Sequence, residues 1–312
     1  MFHRIQLWLF GALLSVMLTA PLLSNAASQP GPTSVTLPGT GVRIVPPTGT
    51  HLGPAGSLLI DESGETIINF VMSDTKFSLE NDPTWRGLYK RPPEHISLPG
   101  LSGNLYRRTR AADGGAWDGW FFAIPRAGKV LTVMASYTGK SPEAFDRMRE
   151  NFLSISWDES VSDPEAALGV KVSPRGLRSV SGVFGALSYN EAGVVGSAGP
   201  SLLLQSLPIP IAKANAIFPA GCASLLGAAF SGKPFIGPEF LERGTVRLCE
   251  AWSKQSDNEM RYVAFVRLPS GALINVMGTS SFNRFQESLV VFRTAIANLQ
   301  PLPSRSSASN VR

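Results

Sequence analysis

The sequence predicts an α+β fold of two tandem modules, each an antiparallel β-sheet packed against helices and closed by a C-terminal amphipathic helix. Three observations predict it. Short apolar runs punctuated by Gly, Pro and Asp recur in both halves of the 312-residue chain. Each half ends in a segment whose Phe residues repeat at helical spacing, Phe145 and Phe152 in one and Phe285 and Phe292 in the other. The two halves also echo one another in order and spacing. Gly41-Val42-Arg43-Ile44-Val45-Pro46 matches Gly169-Val170-Lys171-Val172-Ser173-Pro174. Phe122-Ala123-Ile124-Pro125 with Gly128 leads into Val133-Met134-Ala135-Ser136, as Phe265-Val266 with Gly271 leads into Val276-Met277-Gly278-Thr279.

In the first half, strands are expected at Val42–Val45, Thr66–Met72, Leu105–Thr109, Trp120–Ile124 and Val130–Tyr137. Asp113-Gly114-Gly115 and Pro125–Gly128 supply turns between the last three. Asp61-Glu62 and Glu65 surround Gly64, which reads as a solvated hairpin turn. Ser141 is placed to cap a closing helix with Pro142 at its first position. Phe145, Met148 and Phe152 then share one face.

In the second half, strands are expected at Val170–Ser173, Leu202–Leu207, Val246–Trp252, Tyr262–Arg267 and Ala272–Thr279, with a turn at Pro269-Ser270-Gly271. Ile211–Phe230 is apolar and helical in character, broken at Pro219-Ala220-Gly221. Ser281 is the expected cap of the closing helix, whose apolar stripe is Phe282, Phe285, Leu289, Phe292, Ile296 and Leu299. The implied organisation is a signal peptide over 1–26, a leader over 27–37, a first module over 38–158, a linker over 159–166, a second module over 167–301 and a disordered Ser-rich tail over 302–312.

The leader places the chain outside the cytoplasm. His3 and Arg4 precede the apolar run Leu7–Ala20, Pro21 ends it, and Ser24-Asn25-Ala26 offers small residues for cleavage before Ala27. That run is short of the roughly 20 residues of a membrane span, so no stable span is expected after cleavage. The protein is expected to be periplasmic or secreted. Cys222 and Cys249, the only cysteines, are then expected to form a disulfide, which stabilises by roughly 3 kcal/mol in the chain-entropy model. The net charge of +5 carries no basic stripe. Residues 38–158 hold 13 basic and 13 acidic side chains, and 159–301 hold 12 and 10. That balance argues against nucleic acid as a partner, because replacing phosphate counterions requires concentrated positive charge.

The Val-Pro and Val-x-Pro segments after the first strands, the Val-Met strands and the Phe-bearing closing helices together resemble the Mog1/PsbP-like family, which includes DcrB-type periplasmic proteins. The resemblance would cover 38–158 and 167–301 as two divergent copies. It implies antiparallel sheets flanked by helices and a non-catalytic binding, assembly or adaptor role. It carries over no functional residue.

Catalytic constellations are not visible. Beyond the leader the histidines are His51 and His95, neither with a second ligand at metal spacing. His51 sits among Thr, Gly and Pro and reads as a turn residue. There is no Gly-x-Ser-x-Gly elbow, His-Glu-x-x-His or phosphate-binding loop. No cofactor or metal is therefore assigned. The candidate partner-binding residues are Arg107, Arg108, Arg110, Trp117 and Trp120, with Trp85 and Lys90-Arg91 upstream. Strand alternation puts Arg108 and Arg110 on one face and Arg107 on the other. Trp120 would lie on the paired strand, so an Arg could stack on its ring. Arg and Trp dominate interface hot spots. The expected function is binding or assembly on another cell-envelope protein. The alternatives are a carrier of a small apolar ligand or lipid, centred on Ile211–Phe230, and an unrecognised hydrolase.

Overall fold

A computed structural model describes residues 33–302, except 54–56, 75–77, 84–88, 90–91, 99, 111–116, 184–185, 194–198, 208 and 244–245. Residues 1–32 and 303–312, Trp85, Lys90-Arg91 and the Asp113-Gly114-Gly115 turn lie outside the described residues; the end of the expected 27–37 leader is described and forms a short strand, Val35–Thr36.

The first half builds β1 (Val35–Thr36), β2 (Val42–Ile44), β3 (Thr50–Leu52), β4 (Leu58–Asp61), β5 (Thr66–Asp74), β6 (Glu94–Leu98), β7 (Leu101–Arg108), β8 (Asp118–Arg126) and β9 (Lys129–Tyr137). Helix α1 (Pro142–Leu153) and β10 (Ser156–Trp157) follow. The second half builds α2 (Pro164–Leu168), β11 (Val170–Lys171), β12 (Arg178–Val183), β13 (Ala186–Asn190) and β14 (Ser201–Ser206). Next come α3 (Ile211–Ile217) and α4 (Cys222–Ala229), then β15 (Ile236–Arg243), β16 (Val246–Ser256), β17 (Glu259–Arg267) and β18 (Leu273–Ser281). Helix α5 (Phe285–Ala297) and β19 (Gln300–Pro301) complete it.

The fold is α+β, with two seven-stranded antiparallel sheets. One runs β3-β4-β5-β9-β8-β7-β6 and the other β12-β13-β14-β18-β17-β16-β15. In both, three strands are laid down outward-in and the next four return from the far edge to meet the third. A short strand before each sheet also pairs with a short strand after its closing helix, β2 with β10 and β11 with β19.

Each sheet is covered on both faces. One face of the first packs Leu59, Phe70, Phe122 and Val133 against Phe145, Met148 and Phe152 of α1. The other face gathers Val71, Phe121, Ala123, Val130 and Met134 around Tyr89. In the second sheet, Leu204, Tyr262 and Val276 meet Phe285, Leu289 and Phe292 of α5. The opposite face packs Leu203, Val263, Phe265 and Met277 under Phe218, Leu225 and Leu226 of the α3–α4 layer. Cys222 of α4 and Cys249 of β16 form the disulfide, with Cα atoms 6.5 Å apart.

Local chemistry explains the helix ends. Ser141 Oγ accepts from the Ala144 N–H and Pro142 opens α1. Ser281 makes no such bond: a 3-10 turn at Phe282–Arg284 intervenes, and α5 begins at Phe285. Phe282 therefore leaves the apolar stripe and is exposed. Within the expected linker, Asp163 caps α2 through the Ala166 N–H, and Gly169 ends it in the left-handed conformation. Two further corrections concern faces and turns. Phe122 lies on the closing-helix side of its sheet, whereas Phe265 lies on the α3–α4 side. The structural partners of the repeat on these strands are thus displaced by one residue, because the first hairpin pairs Arg126 with Lys129 and the second pairs Arg267 with Leu273 across a longer turn. His51 is a strand residue, opposite Ile60.

Two measurements test this packing. A Cβ at Gly278 would run into the Phe292 ring, so Gly278→Val should lower stability by about 1–3 kcal/mol through overpacking, read as a drop in the urea midpoint. An unchanged midpoint would contradict the placement of α5. Burial, with the Glu165 carboxylate adding to it, pushes the Tyr189 phenol up to about 12. Its neutral form is favoured in the folded chain, so the associated stability is complete below the ordinary phenol value of about 10 and disappears as pH rises through about 12. Burial also raises Tyr89, offset in part by Arg108. An alkaline titration of tyrosinate absorbance should show a late-ionising class among the 5 tyrosines, appearing as the chain unfolds. Five ordinary phenols titrating together in the native chain would refute it.

Candidate interaction surface

The five sequence-predicted residues are divided between two faces of the first sheet. Arg107 stands directly opposite Trp120, and its guanidinium lies 5.3 Å from both the Trp120 and Phe145 ring centroids. Its charge is met by Asp146 of α1. Trp120 is buried, stacks on Phe145, and donates its indole N–H to the Phe145 carbonyl at 3.0 Å. This group joins β7 and β8 to α1. Arg108 is buried on the opposite face and lies 4.0 Å from the Trp117 ring centroid. Arg110 does not continue the strand alternation, because β7 ends at Arg108. Its guanidinium binds the Asp118 carboxylate at 2.9 Å and the carbonyls of Thr138 and Gly139.

A polar relay that the sequence did not suggest crosses the same face as Arg108. Glu80 Oε1 accepts from the Tyr106 hydroxyl at 2.7 Å and from the Asn104 amide at 2.9 Å. Asn104 Oδ1 in turn lies 3.3 Å from His95 Nδ1. No cluster of three or more metal-ligating side chains occurs among the described residues.

The second half carries a different Arg–Trp arrangement. Glu250 of β16 is fully buried and accepts the Tyr262 hydroxyl at 2.6 Å. Its other oxygen accepts from Arg293 of α5, which also reaches Glu239 of β15 at 3.1 Å. The Arg293 guanidinium lies 5.4 Å from the Trp252 ring centroid. Burying a carboxylate without such partners costs several kcal/mol, so this cluster fixes α5 against β15 and β16.

Around it the apolar surface is open. Val290, one helical turn before Arg293, is 64% exposed, and Ile236, directly opposite Trp252, is 61% exposed. Phe240, on the other side of β15, is 52% exposed. These are three of the four most exposed large apolar side chains among the described residues; the fourth is Phe282, with the Lys254 ammonium 5.6 Å from its ring centroid. Sequence reasoning missed β15 because Gly237-Pro238 reads as a turn. The run Glu239-Phe240-Leu241-Glu242 gives no period-two signal, because each face carries one carboxylate and one apolar side chain.

The protein comparisons add no family. No family model matches the chain, and no curated protein matches it. A crystal structure described as a thioesterase II from Thermobifida fusca YX is 9% identical, spans 74% of this chain and 98% of its own, and superposes with a TM-score of 0.16.

The ion-pair geometry yields a stability test. Arg293→Met leaves Glu250 buried without its cation and should cost about 3–5 kcal/mol. Adding Glu250→Gln to that variant should recover part of the loss. Chemical denaturation of the two variants measures both, and a single variant as stable as the parent would show that the cluster does not hold α5.

Proposed function

We propose that the protein is an exported, non-catalytic binding or assembly module acting on another cell-envelope protein. The observation that carries this reading is the open apolar pair of Ile236 and Val290 beside the Arg293–Trp252 contact, with Phe240 exposed on the other face of the same edge strand. Exposed apolar residues grouped around a Trp–Arg pair are the composition of an interface hot spot. The leader sequence and the Cys222–Cys249 disulfide support a periplasmic or secreted location. No described helix is long and apolar enough to cross a membrane. The shared strand order of the two sheets supports a reading of the chain as tandem copies of a Mog1/PsbP-like, DcrB-type unit.

A second reading, carriage of a small apolar ligand, has one observation in its favour. Asn275 is fully buried beneath the α3–α4 layer, and neither of its amide atoms has a hydrogen-bond partner among the described residues. Gln205, its cross-strand neighbour, likewise has a buried amide oxygen without a partner. Against it, Ile211–Phe230 spends its apolar side chains on packing: Ala214, Phe218, Leu225, Leu226 and Phe230 are all core residues.

Tagged mature protein, Ala27 to Arg312, recovered from the envelope of its own host is expected to bring down one stoichiometric protein. Ile236→Asp with Val290→Asp should abolish that recovery at an unchanged melting temperature, since both side chains are exposed. Recovery of a lipid without a protein would replace the binding reading with the carrier reading.

A further inference from the structure

We propose that β15 receives an added strand: an extended, uncharged segment of the partner protein that pairs with Glu239–Arg243 and lays apolar side chains against Phe240 on one face and Leu241 on the other. This rests on the binding reading above and specifies how the partner is held. β15 is the terminal strand of the second sheet, with β16 on its inner side. No strand pairs with its outer side among the described residues. A terminal strand presents backbone donors and acceptors that a further strand can satisfy, and side chains on alternate faces then give specificity.

The length of the added strand follows from the chain. Pro238 has no N–H to donate, and the register between β15 and β16 shifts between Ile236 and Glu239. The regular ladder starts at Glu239, so the partner contributes about five residues. Its chemistry follows from the charges. Arg293 is held by Glu239 and Glu250, and Glu242 is held by Arg247 at 3.0 Å. The charged side chains described on this edge are thus already paired within the protein, while Phe240 and Ile236 are left uncovered. A charged partner segment would compete with these pairs; an uncharged one with aliphatic or aromatic alternate residues would not.

A second copy of this chain fits less well. An antiparallel two-fold centred on Phe240 sets each Glu239 against the copy's Leu241. One centred on Leu241 sets each Phe240 against the copy's Glu242. Both registers oppose a carboxylate to an apolar side chain, and Glu239 is already engaged by Arg293.

The test places a photo-crosslinking amino acid at Phe240, Glu242 or Val290 of the full chain in its own host. Asp257, whose side chain is 97% exposed, is the control position. Crosslinked peptides are sequenced by mass spectrometry. The expected result is that positions 240 and 242 capture residues two apart in one extended segment of the same protein that position 290 captures. Phe240→Lys should reduce the yield from position 290 about tenfold. Crosslinks from 290 alone, crosslinks at helical spacing, or crosslinks only to another copy of the chain would each overturn strand addition while leaving a binding surface. No protein captured from any of the three positions would overturn the binding reading together with it.

Discussion

The middle strands of both sheets are buried on both faces, and the rest of the architecture follows from that constraint. β9 is buried at eight of its nine positions and β18 at seven of nine. A strand in that position has no solvent side, so it reads as a continuous apolar run without period-two alternation. It also requires two covering layers. The closing helices supply one, and the segments between the third and fourth strands supply the other. Polar atoms in the middle of such a layer have nowhere to find water. Thr132 and Asn275 stand at matching places, immediately before Val133-Met134 and Val276-Met277, and both are fully buried with side-chain polar atoms that have no partner among the described residues. Each such atom costs about 1–3 kcal/mol, a load that extensive apolar packing on both faces must exceed.

Where the covering layer meets the sheet, charge is handled by one device in two orientations. In the first half the guanidinium belongs to the sheet: Arg107 lies over Trp120 and Phe145 and ends on Asp146 of the helix. In the second half it belongs to the helix: Arg293 lies over Trp252 and ends on Glu250 and Glu239 of the sheet. Arginine suits this place because its flat, weakly hydrated guanidinium rests on a ring while its edge donates to a carboxylate. The two versions differ in depth. Asp146 keeps more than half of its side chain in water, whereas Glu250 has none. The first is therefore a peripheral brace and the second a fixed anchor, which is why the second positions the rigid surface around it.

The sequence made the central strands legible for the same reason that it obscured the edges. Thr66–Met72, Val130–Tyr137, Tyr262–Arg267 and Ala272–Thr279 are dense apolar runs, and all four mark strands whose limits lie within three residues of those predicted. The α3–α4 break at Pro219-Ala220-Gly221 was equally plain. Peripheral strands were not. β3, β6 and β13 have three to five residues, too few to establish a period, and Gly237-Pro238 disguised β15. Of the candidate residues, the division of Arg107 from Arg108 was readable from strand alternation, but which Arg meets the Trp120 ring depends on the register of β7 with β8. The engagement of Arg110 was not readable, since it depends on carbonyls of Thr138 and Gly139, 28 and 29 residues away. The Arg293–Trp252 surface was hidden for a similar reason: its members come from three separate elements, and only the fold brings them together.

The edges of the sheets distinguish two otherwise similar halves. Among the described residues the terminal strands are β3, β6, β12 and β15, of three, five, six and eight residues. Short length protects the first two, and β12 is interrupted by a register shift between Val180 and Val183. β15 is the longest and carries the most exposed apolar side chains, yet it is not unguarded. Its first three positions hold the shifted register, Gly237 and Pro238, all unfavourable to pairing. Protection at one end and openness at the other is not what selection against aggregation alone would leave, because the open end would have been the easier one to charge on both faces. Glu239 and Glu242 do carry charge there; Glu239 is paired with Arg293 of the helix, and Glu242 with Arg247 of the neighbouring strand in a solvent-exposed pair. The outcome is an edge whose carboxylates are paired and whose apolar side chains are open, and such an edge discriminates by shape and hydrogen-bond register as well as by charge.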